Sequence, residues 1–418
     1  MEQWSKGMKI RSLTGFVRMK RETGLSETAW EQLQLFTEKA GKAFADAGYN
    51  PQSYRLASNP FAQYLPLPDV ESALARLSVI EKNAIEAGFD YLSIGPASAE
   101  EPETISFIGE AIAATEHVFA SAHLDLRDQS GVSLTAVRNA ARLIKQLSQV
   151  EPNGFGNLYF AALANVPGNI PFFPAGYADV EESTGAFALA MESADMAVEA
   201  FSAAKDIHEA FLFYQQAIEK EAGRLEQVAT VLSDATGMHF LGFDFTPAPF
   251  VEIEQSVGAA IERLSGVPVG HIGSLSAIGM LLSALDKAKF KRSGFNGLML
   301  PILEDTLLAQ RSSEGTLTIK DLFLFSTVCG TGLDTVPLPG DITEAQLFAM
   351  LLDLAVLSKR LGKPLTARLM PIPGKAAGDI TDFNFPFFTN ARIMLVLGTG
   401  IQGLLAEGDW LPVSKWGS

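Results

Sequence analysis

The residues of this chain that are best suited to chemistry surround its single cysteine. The segment FLFSTVCGTGLDTVPLPGD, residues 323–341, contains Cys329 and two carboxylates, Asp334 and Asp341. Its apolar first part, residues 323–328, predicts a buried strand, and the Gly, Pro and Thr residues that follow predict a loop. Glycines let a backbone approach a ligand closely, and loops on rigid scaffolds commonly carry binding sites. We therefore expect a ligand pocket at the Cys329 loop.

Three roles are open for Cys329. A cysteine is often simply a small buried apolar residue. As a nucleophile it would need a nearby cation or helix N-terminus that stabilises its thiolate. His271, in the loop sequence PVGHIGS, is the first histidine to test for that role. As a radical thiol, Cys329 would need a partner radical in a sealed site.

Two further segments place charged residues beside predicted strands. In GFNGLMLPILEDTLLAQRSSEG, Glu304 and Asp305 follow a predicted strand at 297–302 and open a helix. Carboxylates at this point either bind a ligand at the sheet edge or stabilise the helix N-terminus. In TARLMPIPGKAAGDITDF, Arg368 lies in a predicted strand and Lys375 in a Pro-Gly turn.

Arginines in buried strands need partners. Arg368 and Arg11, which lies in the first predicted strand, share this feature. Burying an unpaired charge is costly, so each arginine either pairs with an internal carboxylate or clamps an anionic ligand.

We expect these segments to converge on one site of a small-molecule enzyme without a redox cofactor. In this hypothesis Cys329 is the nucleophile or an acid–base group, and Asp334 or Glu304 accepts a proton. The predicted substrate-binding residues are Arg368, Lys375, His271 and Arg11.

Two alternatives remain beside the enzyme. The first is a binding or regulatory protein that holds a metabolite or a cation. Carboxylate oxygens suit Mg²⁺ or Ca²⁺, and the candidate ligands are Glu304, Asp305, Asp334 and Asp341. The second alternative is a scaffold for a partner protein.

The composition argues against nucleic-acid and membrane partners. The 418 residues carry a formal net charge of −16, whereas binding to nucleic acid or to anionic lipid requires a basic surface. One cysteine excludes an internal disulfide, and the five histidines form no HExxH or HxH pair. The N-terminus lacks the apolar core of a signal peptide, and the apolar run at 272–285 is shorter than the ~20 residues of a membrane span. We expect a cytoplasmic protein.

Short apolar runs alternate with long amphipathic patterns, which predicts an α/β protein with a mostly parallel sheet. No linker is evident, so we expect one domain over residues 8–410, with terminal extensions at 1–7 and 411–418. The predicted helices are 27–47, 69–87, 103–115, 134–147, 194–232 (broken), 251–264, 272–285, 319–324 and 343–361. The predicted strands are 9–16, 53–59, 91–94, 118–123, 157–164, 186–191, 239–244, 297–302, 323–328, 365–370 and 393–397.

The chain resembles a known family. The blocks KIRSLTGF, DFTPAP, GLMLPILEDTLLA, STVCGTGLDTVPLPGD and TARLMPIPGKAAGD occur in the order and rough spacing of the family catalogued as domain of unknown function 711. The resemblance extends from Met8 to about Trp410. It implies the fold of pyruvate formate-lyase and other glycyl radical enzymes, a ten-stranded α/β barrel of two five-stranded halves. We also expect a homodimer, because two-fold homo-oligomers are common.

The resemblance does not carry a catalytic activity with it. Glycyl radical enzymes have an Arg-Val-x-Gly-aromatic motif near the C-terminus, and Gly398 is the glycine of this chain nearest to that place. Leu395 replaces the arginine and Thr399 replaces the aromatic residue. We therefore do not expect glycyl radical catalysis.

Overall fold

The structure is a computed structural model, and it describes residues 9–21, 23–126, 131–181 and 185–417. The predicted N-terminal extension, residues 1–7, lies outside the described residues. The helices are α1 (Glu27–Asp46), α2 (Val70–Glu86), α3 (Ile105–Ala114), α4 (Leu134–Leu147), α5 (Ala194–Ala203), α6 (Ile207–Thr236), α7 (Val257–Ser265), α8 (Ser274–Lys287), α9 (Thr306–Glu314), α10 (Ile319–Cys329) and α11 (Glu344–Leu361). The strands are β1 (Lys9–Val17), β2 (Tyr54–Ser58), β3 (Tyr91–Ala97), β4 (Val118–His123), β5 (Gly131–Ser133), β6 (Phe160–Ala164), β7 (Ala186–Glu192), β8 (His239–Asp244), β9 (Gly332–Pro339), β10 (Leu365–Ile372) and β11 (Trp410–Pro412).

A large sheet contains nine of these strands in the order β8-β7-β1-β2-β3-β4-β6-β10-β9. Strands β1, β2, β3, β4 and β6 run parallel to one another. The chain direction reverses at the antiparallel pairs β1–β7 and β6–β10, and β7–β8 and β10–β9 are again parallel pairs. Strands β5 and β11 form a separate antiparallel pair. The predicted α/β class with a mostly parallel sheet is confirmed.

The hydrogen-bonded ladder is open, so the structure does not show the continuous ten-stranded barrel that the resemblance implied. The segment 291–302, predicted in part as a strand, runs instead as an irregular connection between the two edge strands. It makes one parallel bridge to β8 at Arg292 and one to β9 at Pro301. Gly294, Gly297 and Pro301 account for the irregularity, because glycine disfavours regular strand and proline lacks a backbone donor.

The segment around Cys329 is a helix followed by a strand, whereas the sequence predicted a strand followed by a loop. Helix α10 begins with a capping box between Thr318 and Asp321 and continues to Cys329. Its buried positions include Leu322, Phe325 and Cys329, which have the three-to-four-residue spacing of a helix. The predicted loop forms β9, whose prolines are tolerated because β9 lies at the edge of the ladder.

The predicted strand at 393–397 is also wrong. These described residues form no ladder, and the nearest pairing is an isolated antiparallel bridge between Ile380 and Arg392. Strand β11 lies partly in the predicted C-terminal extension.

The two faces of the sheet have different coverings. In β7, Phe187, Leu189 and Met191 belong to the main core that the helices share, while Ala186, Ala188 and Ala190 belong to smaller clusters on the other face. We call this second face the inner face.

The proline-rich segment 166–178 packs on the inner face. The hydroxyls of Ser12 and Thr14 donate hydrogen bonds to the carbonyl of Pro171 at 2.9 and 3.2 Å. The small alanine side chains of β7 leave room for this segment. Within the described part of the chain, no helix has the length and apolar composition that a membrane crossing requires.

Candidate functional site

A cavity of about 210 Å³ on the inner face is lined by charged side chains from distant parts of the chain. Arg11 comes from β1, Arg55 from β2, Asp334 from β9 and Arg368 from β10. Glu304 joins them from the turn before α9. Alternation of side chains along the strands places them on the face opposite the helices.

A β-bulge places Arg11 in the cavity. In the β1–β7 pair, Ile10 is opposite Met191 and Ser12 is opposite Ala190, so Arg11 is an extra residue in β1. Such bulges redirect a side chain and are common beside functional sites.

A second bulge lies at Asp334. Ala367 pairs with Leu333 and Leu369 with Val336, so Asp334 and Thr335 together face Arg368. Thr335 has a φ of 39°, a left-handed conformation that β-branched residues rarely adopt. Its buried hydroxyl has no hydrogen-bond partner among the described residues. Strain of this kind persists where the surrounding structure enforces it, often at functional sites.

Four of the charged groups form a continuous chain of ion pairs. Glu304 accepts from Arg11 Nη2 at 2.5 Å and from Arg368 Nη2 at 2.7 Å. Arg368 Nε donates to Asp334 Oδ1 at 2.7 Å. Arg11 also pairs with Glu192, which ends β7, at 3.2 Å. Each of these buried or partly buried charges therefore has a partner of opposite sign.

The two carboxylates of this chain differ in acidity. Burial raises the pKa of Glu304, but Arg368 and Arg11 outweigh burial, so its pKa lies below the usual value. Burial also raises the pKa of Asp334, and the nearby charge of Glu304 adds to that effect against the pull of Arg368. The pKa of Asp334 is raised overall, and its Oδ2 has no hydrogen-bond donor among the described residues.

Arg55 has a different environment from the other two arginines. Its Nε donates to Ser53 Oγ at 2.9 Å, and its guanidinium lies 5.4 Å from the centre of the Phe173 ring. Among the described residues, no carboxylate forms an ion pair with it. Burial, followed by repulsion from Arg11, lowers the pKa of Arg55 to about 9, so it remains a cation at neutral pH. Its two terminal nitrogens match the geometry of a carboxylate.

Aromatic side chains form much of the remaining cavity wall. They come from β3 and β4, from the segment 166–178 and from a loop at 381–391. This aromatic loop is closed by a hydrogen bond from Thr381 N to Ala391 O at 2.9 Å, and Thr389 N fastens it to Leu303 O at 2.7 Å. The aromatic wall residues include Tyr91, Phe172, Phe173, Phe385, Phe387 and Phe388.

Cys329 does not line this cavity. It is the last residue of α10, is 0% exposed and belongs to the main core. Its Sγ lies 3.9 Å from Thr331 Oγ1. The geometry favours the buried apolar role, and the role of nucleophile stays a prediction.

Asp305 binds two helix N-termini. It caps α9 by accepting from the backbone of Leu307 and Leu308, and it also accepts from the backbone of Val257 and Gly258 at the start of α7. Its neighbour Glu304 faces the cavity, so the two adjacent carboxylates have different surroundings.

The other sequence-predicted site residues lie apart from the cavity. Lys375 pairs with Asp382 at 3.2 Å, and His271 and Asp341 are exposed. Among the described residues, no group of three or more His, Cys, Asp or Glu side chains is arranged to hold a metal ion. The structure thus brings together Arg11, Glu304, Asp334 and Arg368, and separates them from Cys329, Asp305, Asp341, His271 and Lys375.

Sequence reasoning missed Arg55 and the aromatic wall. The signal for Arg55 was present, because it lies in a predicted strand as Arg11 and Arg368 do. The aromatic residues gave no such signal, since most of them lie in loops whose course depends on the whole fold.

The fold and the cavity define an α/β protein with an arginine- and carboxylate-lined cavity on one face of its sheet. The chain belongs to the family described as Uncharacterised ACR (DUF711), whose family model matches residues 4–384. The resemblance found in the sequence blocks is confirmed, and the matched residues include Arg11, Arg55, Glu304, Asp334 and Arg368.

Curated relatives share most of their length with this chain. A UPF0210 protein of Pyrobaculum arsenaticum is 29% identical over 82% of this chain and 78% of its own. A UPF0210 protein of Pyrobaculum aerophilum is 28% identical over 93% of this chain and 88% of its own. One from Oenococcus oeni is 24% identical over 92% of this chain and 90% of its own.

Proposed function

We propose that this protein is an enzyme without a redox cofactor that binds a small organic carboxylate in the cavity and transfers a proton with Asp334. The environment of Arg55 is the observation that carries the proposal. Arg11 and Arg368 each bind two carboxylates, whereas Arg55 faces the cavity without one among the described residues. A ligand carboxylate would supply the missing partner.

The cavity groups divide into anchors and one acid–base candidate. Glu304 is held by two arginines and has a lowered pKa, so it acts as a fixed negative charge. Asp334 has a pKa raised by burial and a free oxygen, which suits a group that accepts and returns a proton.

The size of the cavity favours a small metabolite. Its volume of about 210 Å³ is below the roughly 300–1,000 Å³ of pockets for drug-sized ligands. Aromatic walls suit a flat or apolar body behind the carboxylate.

We infer that the fold is a barrel of the pyruvate formate-lyase type. Strands β1, β2, β3, β4 and β6 would form one half, and β7, β8, the segment 291–302, β9 and β10 the other. The bridges at Arg292 and Pro301 support this inference. We do not propose radical chemistry for this fold, because Gly398 and Cys329 have different surroundings. Gly398 is exposed and its carbonyl accepts a hydrogen bond from Gln346 on α11, whereas Cys329 is buried.

A non-catalytic binding protein is the second candidate. Both Glu304 oxygens already accept hydrogen bonds from arginines, so Asp334 has no second free carboxylate beside it. This observation favours a binding protein over an enzyme. Such a protein would use the same Arg55 contact and would bind its ligand without changing it.

Calorimetric titration with 4-methylbenzoate and its neutral amide tests the binding step. We expect the acid to bind at least about tenfold more tightly than the amide, because a charge-assisted hydrogen bond contributes about 1.5–3 kcal/mol. Arg55→Gln should abolish this preference, and Arg142→Gln, an exposed arginine paired with Glu344, should retain it. Equal binding of acid and amide to the unmodified protein contradicts the proposal.

A proton-exchange experiment distinguishes the enzyme hypothesis from the binding-protein hypothesis. Phenylpyruvate is a small aromatic carboxylate whose C3 protons a general base can remove. In D₂O, the enzyme hypothesis predicts accelerated deuterium incorporation that Asp334→Asn abolishes. Binding of phenylpyruvate without acceleration favours the binding protein.

A further inference from the structure

We propose that the ligand of this cavity is an amino carboxylate with its two charges at opposite ends of a flat apolar body. Its carboxylate binds Arg55 and its ammonium group binds the free oxygen of Asp334. This inference rests on the proposed function, because it names the ligand class of the same site.

The free positive group lies on β2 and the free negative oxygen on β9, five positions apart in the strand order of the sheet. The ion pairs run from Arg11 through Glu304 and Arg368 to Asp334. Arg55 lies on β2, the strand next to Arg11, and Asp334 is the last member of the chain of ion pairs. A ligand that satisfies both free groups must therefore extend along this chain.

The charge balance of the cavity points to a ligand without net charge. Among the side chains that line the cavity, Arg11, Arg55 and Arg368 supply three positive charges, and Asp90, Glu304 and Asp334 supply three negative charges. An anion or a cation alone would leave one uncompensated charge among these partly buried groups. A zwitterion preserves the balance and gives both free groups a partner.

The walls between the two ends fit an apolar body. Phe173 stacks against Arg55, and Phe172, Met299 and Phe388 line the same space. Aromatic walls favour a ring or another flat body through offset or edge contacts. Asp90 also lines the cavity, but it is exposed and already accepts a hydrogen bond from Tyr54 N at 2.8 Å.

Three compounds of nearly equal shape test the inference by calorimetric titration of the full chain. They are 4-(aminomethyl)benzoate, which carries both charges, 4-methylbenzoate, which carries the negative charge, and 4-methylbenzylamine, which carries the positive one. We expect the zwitterion to bind at least about tenfold more tightly than either of the others, because it gains one more charge-assisted hydrogen bond. In Asp334→Asn the advantage of the zwitterion over 4-methylbenzoate should disappear, because its ammonium group loses its charged partner.

The outcomes separate this inference from the proposed function. If 4-methylbenzoate binds as tightly as the zwitterion, the amino group is not recognised, and the carboxylate site on Arg55 stands alone. If L-phenylalanine, whose two charges are adjacent, binds more tightly than 4-(aminomethyl)benzoate, the end-to-end arrangement is wrong. If none of the four compounds binds, the proposed function fails with the inference. The wild-type titrations decide the matter even if Asp334→Asn does not fold.

Discussion

At the scale of single residues, the three cavity arginines all lie on strands of the large sheet, but they bind different partners. Arg11 and Arg368 each bind two carboxylates, and Arg55 binds a hydroxyl and an aromatic ring. Burial destabilises a charge unless its partners compensate for the lost water. The same substitution should therefore have opposite effects on stability at paired and unpaired arginines.

Arg55→Gln should stabilise the ligand-free protein, and Arg368→Gln should destabilise it. We expect a gain of about 1 kcal/mol for Arg55→Gln, because relief of desolvation exceeds the lost contact with the Phe173 ring. We expect a loss of about 3–5 kcal/mol for Arg368→Gln, which leaves Glu304 and Asp334 without this partner. Denaturant titration measures both, and a loss of stability in Arg55→Gln contradicts the account of Arg55.

The buried carboxyl group of Asp195 should make stability depend on pH. Burial raises its pKa to about 7, against about 3.9 for an unfolded chain. Between these values the folded state holds a proton that the unfolded state releases, so the free energy of unfolding falls as pH rises through this window.

Asp195→Asn should remove this dependence. The variant should be more stable than the wild type at pH 8, by as much as about 4 kcal/mol, and should match it near pH 4. Chemical denaturation at the two pH values measures the difference. An equal effect of the substitution at both values would show that the ionisation of Asp195 is not responsible.

The thiol of Cys329 should react only when the protein unfolds. The side chain is 0% exposed within the main core, so a thiol reagent has no access to it. Labelling with and without denaturant, followed by mass measurement, tests this. Rapid labelling of the native protein would contradict this prediction and support the role of nucleophile. We also expect Cys329→Ala to leave the binding of 4-methylbenzoate unchanged.

At the scale of elements, β-bulges place two of the charged side chains and a shared cap positions a third. Arg11 and Asp334 lie at bulges, where the pairing register shifts. Glu304 precedes Asp305, which joins the starts of α7 and α9. The cavity thus depends on irregularities of the sheet as much as on its regular strands.

Asp305→Ala should destabilise the protein by about 2–4 kcal/mol. The substitution removes the cap of α9 and leaves buried donors at the start of α7 unpaired. Because Asp305 does not line the cavity, the folded fraction should bind 4-methylbenzoate as the wild type does. Denaturation and titration of the same sample measure both effects, and selective loss of binding would place Asp305 in the site.

Helices were predicted from the sequence more accurately than strands. Helix starts such as Thr343 and Asp69 carry local capping signals, and the helices that follow them were predicted nearly to their ends. The run at 323–328 misled the prediction because its aromatic and β-branched residues suit a strand, while tertiary packing makes it part of α10. Strand β9 was missed because its prolines resemble a loop.

Four charged residues of the cavity were predicted, and Arg55 was not. Arg11, Glu304, Asp334 and Arg368 could be found because charges in or beside apolar strands require an explanation. The sequence could not show that these side chains lie together, because no local pattern encodes the register shifts that place Arg11 and Asp334. Lys375 was assigned to the site because it lies in a Pro-Gly turn after the strand of Arg368, and His271 because it is a loop histidine. The structure places both apart from the cavity.

At the scale of the whole molecule, the sheet joins five parallel strands to two oppositely directed pairs, and the segment 291–302 connects its edges. The segment 166–178 packs on the inner face, and this segment and the aromatic loop both contribute to the wall of the charged cavity. Exposed apolar side chains such as Leu395, Leu397 and Leu404 gather in the C-terminal part of the chain. They support the proposal of a homodimer, which sedimentation equilibrium would test.

The most direct measurement is a crystal structure of the protein grown with 4-methylbenzoate. We expect electron density for the ligand between the aromatic walls, with its carboxylate in hydrogen-bonding contact with the terminal nitrogens of Arg55. Density for the ligand at another place, or a carboxylate of the protein on Arg55, would contradict it.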